Sequence, residues 1–191
     1  MDHHALVEAM KDPAFYAHPV EAVGFIQTHI SCVFLTGDYV FKLKKPADFG
    51  FLDFTTGEKR RVNCLKELEL NRRLAPDVYL RVEPVVSLDG RAMLGGEQAG
   101  GSNLETGLAD NAIDWVVVMR QLDQELLGLR VLQRGELDQA KIEAVVDRLV
   151  PFYRTARTGE GVDQFGSIET VKFNTDENFQ QTESFVGRAL R

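Results

Sequence analysis

The fold is decided by residues 32–46, which read CVFLTGDYVFKLKKP. Two apolar runs, residues 32–35 and residues 39–43, flank the short turn-forming segment Thr36-Gly37-Asp38. This arrangement predicts two antiparallel strands joined as a hairpin. Pro46 is expected to end the second strand, because proline has no backbone N–H to donate to a neighbouring strand.

The sequence on either side of this hairpin predicts more strands and one long helix. The helix is expected from a capping Thr55, with Glu58 three residues later, to about Leu74, with Val62, Leu65 and Leu68 on one side and Cys64 beside them. The other strand-like runs are residues 20–26, 79–88, 91–94 and 113–119. Because the strands cluster instead of alternating with helices, we expect an α+β fold: an antiparallel sheet of about five strands, with the helix inserted between the third and fourth.

Helices are predicted at both ends of the chain. A short amphipathic helix is expected over residues 3–11, and the segments after residue 122 read as helices at about 124–133, 138–157 and from about 175 onward. We therefore expect a sheet domain over residues 1–120, which includes the first helix, and a helical part over residues 121–191.

Composition excludes several classes of protein. The chain has 191 residues, 44% of them hydrophobic, and a net charge of −7. No run approaches the ~18 consecutive apolar residues of a membrane span, and the acidic start lacks the layout of a signal peptide. Cys32 and Cys64 alone cannot build a disulfide framework or a zinc site. A protein of the cytoplasm that does not bind membranes is therefore expected.

The charge is unevenly distributed along the chain. Residues 42–73 contain nine basic and five acidic residues, so this segment carries +4 and the rest −11. The acidic balance argues against nucleic-acid binding, whereas the basic segment suits a phosphorylated ligand. The alternative is that most of these charges form a solvated helix face.

Two lysines of the hairpin are candidate functional residues. Lys42 and Lys44 share one face of their strand, because side chains alternate along a strand. A lysine within an apolar strand is costly unless it is paired, and Glu67 and Glu69 on the following helix are candidate partners. Phosphotransferases hold a lysine against nucleotide phosphates in this way. The alternative is that Lys42, Lys44 and Lys45 protect a sheet edge from aggregation.

Two polar segments lie at the ends of predicted strands. The loop between the first two strands offers hydroxyl and imidazole groups that can bind phosphate oxygens. Its candidate residues are Thr28, His29 and Ser31. Backbone groups at the end of the last strand can bind an adenine ring. These belong to Met119, Arg120, Gln121 and Leu122. Each segment also has a simpler interpretation, as an exposed loop and as the end of a central strand.

Residues 28–80 resemble the N-terminal part of the aminoglycoside phosphotransferase-like family. The likeness covers roughly residues 20–180 and is most specific over residues 28–79. It is strongest to bacterial members, some of which carry a second, P-loop kinase domain. The resemblance implies a protein-kinase-like fold, with a small lobe of five strands and one helix hinged to a helical lobe.

The same resemblance assigns roles to the candidate residues. It implies that Lys42 positions the phosphates of ATP and that Glu67 holds Lys42. The loop with Thr28, His29 and Ser31 would cover the phosphates, and the segment from Met119 to Leu122 would be the hinge. Lys44 remains the alternative for the lysine role. Glu69 is the weaker partner, because it points about 200° around the helix from Glu67.

The sequence departs from this family in its catalytic residues. Such enzymes need a catalytic aspartate, usually in a His-Gly-Asp motif, and later groups that bind Mg²⁺. All histidines lie within the first 29 residues, and none is followed by Gly-Asp. We therefore expect the ATP-binding N-terminal portion of a phosphotransferase for a small hydroxylated molecule, truncated before its Mg²⁺ ligands and inactive alone.

A truncated helical lobe would also expose apolar faces such as that of Val145, Leu149 and Phe152, so self-association into homo-oligomers is expected. The alternative function is a non-catalytic module that binds a nucleotide or a protein.

Overall fold

The structure, a computed structural model, describes residues 1–50, 52–96 and 111–187. The chain forms two compact units, Met1–Ile142 and Glu143–Arg191. The sheet and the helices that pack on it lie in the first unit. The division after residue 120, which was drawn between a sheet domain and a helical part, stays a prediction.

The sheet has six strands among the described residues, and every neighbouring pair is antiparallel. Its order is β1-β2-β3-β6-β4-β5. The strands are β1 (Gly24–Gln27), β2 (Ser31–Leu35), β3 (Tyr39–Lys44), β4 (Tyr79–Leu88), β5 (Arg91–Leu94) and β6 (Ala112–Arg120). The predicted α+β class and the helix between the third and fourth strands are confirmed, and the sheet has one strand more than expected.

Local turn chemistry fixes the two hairpins. In the β2–β3 turn, both the backbone N–H and the hydroxyl of Thr36 donate to the carbonyl of Tyr39, at 2.9 and 2.8 Å. Between β4 and β5, Asp89 and Gly90 have φ values of 48° and 78°. Two consecutive positive φ values are typical of the tight turns that match the twist of a hairpin.

The first strand is shorter than predicted. The run over residues 20–26 is a strand only from Gly24. Val20 and Val23 instead pack against the buried core, so apolar character there reflects burial outside the sheet.

The two faces of the sheet are covered by different helices. On one face, α1 (His3–Ala9) and the 3₁₀ turn Pro13–Phe15 pack against a core that includes Leu43 and Val116. On the other face lies α2 (Gly57–Arg72), which packs through Cys64 against Val117. Because side chains alternate along a strand, Lys42 and Lys44 point to the face covered by α2.

The start of α2 differs from the prediction. Thr56 caps the helix by accepting a hydrogen bond from the backbone N–H of Lys59 at 3.2 Å. Thr55, the predicted cap, donates its hydroxyl to Asp53 at 2.7 Å. Of the apolar residues that the sequence places on one side of the helix, Val62 and Leu65 are exposed. The buried residues of α2 are Arg60 and Cys64, because the sheet beneath it presents charged side chains as well as apolar ones.

The helices that follow the sheet are α3 (Gly128–Gln133), α4 (Gln139–Arg154), α5 (Glu160–Asp163) and α6 (Ile168–Thr182). The predicted helix over 124–133 is interrupted at Leu127, whose ψ of 131° is not helical. α6 begins well before residue 175, because Ser167 caps it by accepting from the N–H of Thr170 at 3.2 Å.

Most apolar side chains of this helical part are exposed, Val145 among them, while Leu149 and Phe152 are half-buried. The predicted self-association stays a prediction. Across the described stretches 1–50, 52–96 and 111–187, we find no helix with both the length and the apolar character needed to cross a lipid bilayer.

Candidate functional site

A carboxylate shared by two lysines lies between α2 and the sheet. Glu67 accepts a hydrogen bond from Lys42 at Oε1 and from Lys44 at Oε2, each at 2.7 Å. The exposed fraction of the side chain is 25% for Lys42, 5% for Lys44 and 14% for Glu67. The structure thus brings together the predicted lysine and glutamate, whereas Glu69 is exposed. Two ammonium groups and one carboxylate leave this cluster, here called the Glu67 cluster, with one net positive charge.

The pairing of the strands and the packing of α2 against the sheet determine where Lys42 and Glu67 lie. Lys42 stands in a row between Val33 of β2 and Val117 of β6. Cys64 lies one turn before Glu67, is fully buried, and has its Sγ 3.8 Å from the carbonyl of Trp115. Residues three apart share one side of a helix, so the packing of Cys64 directs Glu67 toward β3.

Burial and hydrogen bonding act on the titratable groups in opposite directions. Burial alone would raise the pKa of Glu67, but the hydrogen bonds and charges of Lys42 and Lys44 outweigh it, and the pKa is lowered. Burial raises the pKa of Cys64 to about 12. Burial, together with the negative charge of Glu67, raises the pKa of Tyr79. At neutral pH Glu67 is therefore an anion, whereas the neighbouring thiol of Cys64 and phenol of Tyr79 are uncharged.

Lys44 is held on two sides. Besides Glu67, its ammonium group lies 4.9 Å from the centre of the Phe54 ring, a cation–π contact. The carbonyl of Phe54 accepts from Arg60 at 2.9 Å, and Arg60 donates to Asp114 at 2.8 Å. The lysine with access to solvent is therefore Lys42, not Lys44.

The loop predicted to cover phosphates is a closed turn. The backbone N–H of Thr28 donates to the carbonyl of Ser31 at 2.9 Å, and the N–H of Ser31 donates to the Thr28 hydroxyl at 3.0 Å. Ser31 is fully buried, and its hydroxyl has no hydrogen-bond partner within the described part of the chain. It stands opposite Lys44 in the sheet. Of the predicted residues in this loop, Thr28 and His29 are exposed.

The segment predicted as a hinge has two backbone N–H groups already engaged. Arg120 N–H donates to the carbonyl of Val78 at 2.8 Å, and Gln121 N–H donates to that of Asp38 at 2.9 Å. Met119 packs beside the apolar cluster under α2, and Leu122 is exposed. Because the sheet pairs Met119 with Val40, two residues along from Lys42, Met119 lies about 7 Å along the strands from the lysine.

Three supporting residues were not predicted from the sequence: Phe54, Arg60 and Asp114. Asp114 stands in an apolar strand run, where an acidic side chain needs a partner. Arg60 precedes Glu67 by seven residues, or about two helical turns, and so shares its side of α2. These two signals mark Arg60 and Asp114 as residues that need partners, but their pairing depends on which strand lies under α2. No comparable signal marks Phe54, which lies in an irregular loop.

Comparisons with known proteins give relatives but no activity. The chain is 31% identical over 168 residues to a protein of Mycobacterium bovis and to proteins of two strains of Mycobacterium tuberculosis, each described as an uncharacterized protein. These alignments cover 86% of this chain and 30% of each relative, so the chain spans about a third of the length of the curated relatives it matches. No family model matches the chain, and no solved structure matches it.

Proposed function

We propose that this chain binds ATP through Lys42 and Glu67, as the nucleotide-binding portion of a kinase-like phosphotransferase that acts on a small hydroxylated molecule in the cytoplasm. The observation that carries the proposal is the Glu67 cluster. A half-buried carboxylate holds a partly exposed strand lysine at 2.7 Å, and the cluster keeps a net positive charge. This is the arrangement with which phosphotransferases place a lysine against the α- and β-phosphates.

The position of Lys42 supports phosphate binding. A quarter of its side chain is exposed, more than for Lys44 or Glu67, and a flexible lysine stem lets its compact charge follow a bound phosphate. A hydrogen bond between charged groups contributes ~1.5–3 kcal/mol. Loss of this one contact is therefore expected to weaken nucleotide binding by at least about tenfold.

Apolar side chains on the same face of the sheet support binding of the purine ring. Val33 pairs with Lys42, and Val40 pairs with Met119, so the side chains of Val33, Val40 and Met119 lie on the lysine's face. Ligand sites are lined mostly by such side chains, with a few placed polar groups. On this proposal the adenine lies against the three apolar residues and the phosphates reach Lys42.

We propose that this chain binds ATP. Transfer of the phosphoryl group requires further residues, which act as base and bind metal. The His-Gly-Asp motif is not found in the sequence. Among the described residues, no group of three or more His, Cys, Asp or Glu side chains could hold a metal ion. We propose Mg²⁺ only as the ion that accompanies the ATP phosphates. When bound, ATP supplies the phosphoryl group, and this chain's residues bind and orient its phosphates.

Calorimetric titration of ATP and of adenosine tests the proposal. The variants are Lys42→Met and, as a control that removes a lysine from an exposed position of α2, Lys66→Met. Lys42→Met should weaken ATP binding about tenfold or more and leave adenosine binding unchanged, since adenosine has no phosphate. Lys66→Met should bind both like the unmodified protein. Equal ATP affinity for the Lys42→Met and Lys66→Met proteins would disprove the assignment of Lys42.

A further inference from the structure

We propose that Lys44 is a positioning residue that keeps Glu67 ionised when Lys42 turns to the nucleotide phosphates. This inference rests on the proposed function and extends it to how the site responds to its ligand. Its basis is that the two carboxylate oxygens of Glu67 are bonded to different lysines.

Lys44 itself is badly placed to touch a nucleotide. Almost none of its side chain is exposed, and its ammonium group is engaged by both Glu67 and the Phe54 ring. Its neighbour across the sheet, Ser31, is fully buried. A phosphate would have to displace these groups to reach Lys44, whereas a quarter of the Lys42 side chain is exposed.

Lys44 can compensate Glu67 for the loss of its hydrogen bond from Lys42 when the ligand binds. When Lys42 moves onto a phosphate, the Oε1 atom of Glu67 loses its partner in a mostly buried setting. A buried carboxylate without a partner is costly and takes up a proton instead. Neutral Glu67 would then hold Lys42 less firmly. Because Lys44 stays bonded to Oε2, Glu67 remains an anion in both states.

The same arrangement gives the cluster the net positive charge that the proposed function requires. A single lysine paired to a single glutamate presents no net charge to an approaching phosphate. With Lys44 matched to Glu67, the charge of Lys42 is uncompensated and available to the ligand. Removal of Lys44 should therefore alter the protonation of Glu67 and, through it, the pH dependence of ATP binding.

The first experiment needs no nucleotide. The side-chain carboxyl carbon of Glu67 is followed by NMR as pH is lowered, in protein labelled with ¹³C-glutamate, and its signal is identified by its loss in Glu67→Gln. Lys44→Met should raise the pKa of Glu67, while Lys66→Met should leave it as in the unmodified protein. An unchanged Glu67 titration in folded Lys44→Met protein would refute the inference, whether or not ATP binds.

The second experiment counts protons taken up with ATP. Calorimetry in two buffers of different ionisation heat gives this number, and comparison of variant with unmodified protein cancels the protonation of ATP itself. Lys44→Met should take up additional protons, to a limit of about one per ATP, and its affinity should fall by up to about tenfold per pH unit as pH rises. Lys66→Met should match the unmodified protein.

A second variant separates positioning from a merely structural effect. In Glu67→Gln protein no carboxylate remains to be protonated, so adding Lys44→Met should cause no additional proton uptake. If Lys44→Met binds ATP with the proton count and pH profile of the unmodified protein, Lys44 has no positioning role. If the unmodified protein binds no ATP while the NMR titration responds to Lys44→Met, the proposed function fails and the control of Glu67 by Lys44 stands.

Discussion

Replacement of Arg60 by methionine should destabilise the protein far more than replacement of its neighbour Arg61. Arg60 lies near the start of α2 and donates to Asp114 at 2.8 Å and to the carbonyl of Phe54 at 2.9 Å. Only 10% of its side chain and 4% of that of Asp114 are exposed. Methionine keeps the length of the side chain and removes both hydrogen bonds, so the Asp114 carboxylate is left buried with the backbone N–H of Trp115 as a hydrogen-bond donor.

The structure sets the size of this difference. Loss of one partner of a buried ion pair costs ~3–5 kcal/mol, because the remaining charge stays out of water. Arg61 pairs with Glu58 on the surface and lies 5.2 Å from the centre of the Trp115 ring. A surface pair and an exposed cation–π contact contribute about 1 kcal/mol each at most. Arg60→Met should therefore cost at least about 1–3 kcal/mol more than Arg61→Met.

Urea denaturation followed by circular dichroism measures both variants. The midpoint should shift strongly for Arg60→Met and little for Arg61→Met, with the slope unchanged. Adding Asp114→Asn to Arg60→Met should recover part of the loss, since the buried group is then neutral. Equal destabilisation by the two single variants would mean that the Arg60–Asp114 pair does not hold α2 on the sheet.

Three further predictions concern pH, thiol chemistry and packing. The pKa of Glu67 is lowered on folding. Its contribution to the free energy of unfolding should therefore be complete above pH ~4.3, the ordinary glutamate pKa, and should be lost as pH falls through the folded value. In urea denaturation, the difference in stability between the unmodified protein and Glu67→Gln should shrink below about pH 4. The pKa of Cys64 is raised to about 12 from 9.0, which lowers its thiolate fraction about a thousandfold, so a disulfide reagent at pH 8 should modify it only after unfolding. A Cβ at Gly96 would lie 2.6 Å from Oε1 of buried Glu83. Gly96→Ala should therefore displace this carboxylate and lower the free energy of unfolding by ~1–3 kcal/mol. In the control Gly128→Ala the added Cβ meets no atom within 4 Å, so the melting temperature should be nearly unchanged.

The hairpins were predictable from the sequence because their determinants are local. Thr36 and Gly37 close one turn, and Asp89 and Gly90 close the other, through hydrogen bonds and backbone angles of the turn residues themselves. The predicted strands over residues 79–88 and 91–94 agree with the structure to the residue. Alternation along the strand also placed Lys42 and Lys44 on one face, which is why the pairing with Glu67 was predictable.

The orientation of α2 was not predictable from apolar spacing. Val62, Leu65 and Leu68 have the spacing of a buried face, but only Leu68 of the three packs against the cluster under the helix. The buried face of α2 is instead the one whose charged residues pair with those of the sheet: Arg60 with Asp114, and Glu67 with two lysines. This pairing depends on which strands lie under α2, and Asp114 is some fifty residues from α2 in the sequence.

The contacts of the segment predicted as a hinge bear on which groups would bind the ligand in the proposed site. The N–H groups of Arg120 and Gln121 are bonded to the carbonyls of Val78 and Asp38, so they tie the end of β6 to neighbouring segments. Each backbone hydrogen bond to a purine would add only ~0.5–1.5 kcal/mol. A triphosphate that meets the uncompensated charge of Lys42 gains more than that from one contact. On the proposed function, recognition by this chain therefore rests on the phosphates and the apolar strand face, and Lys44 governs affinity without contacting the ligand.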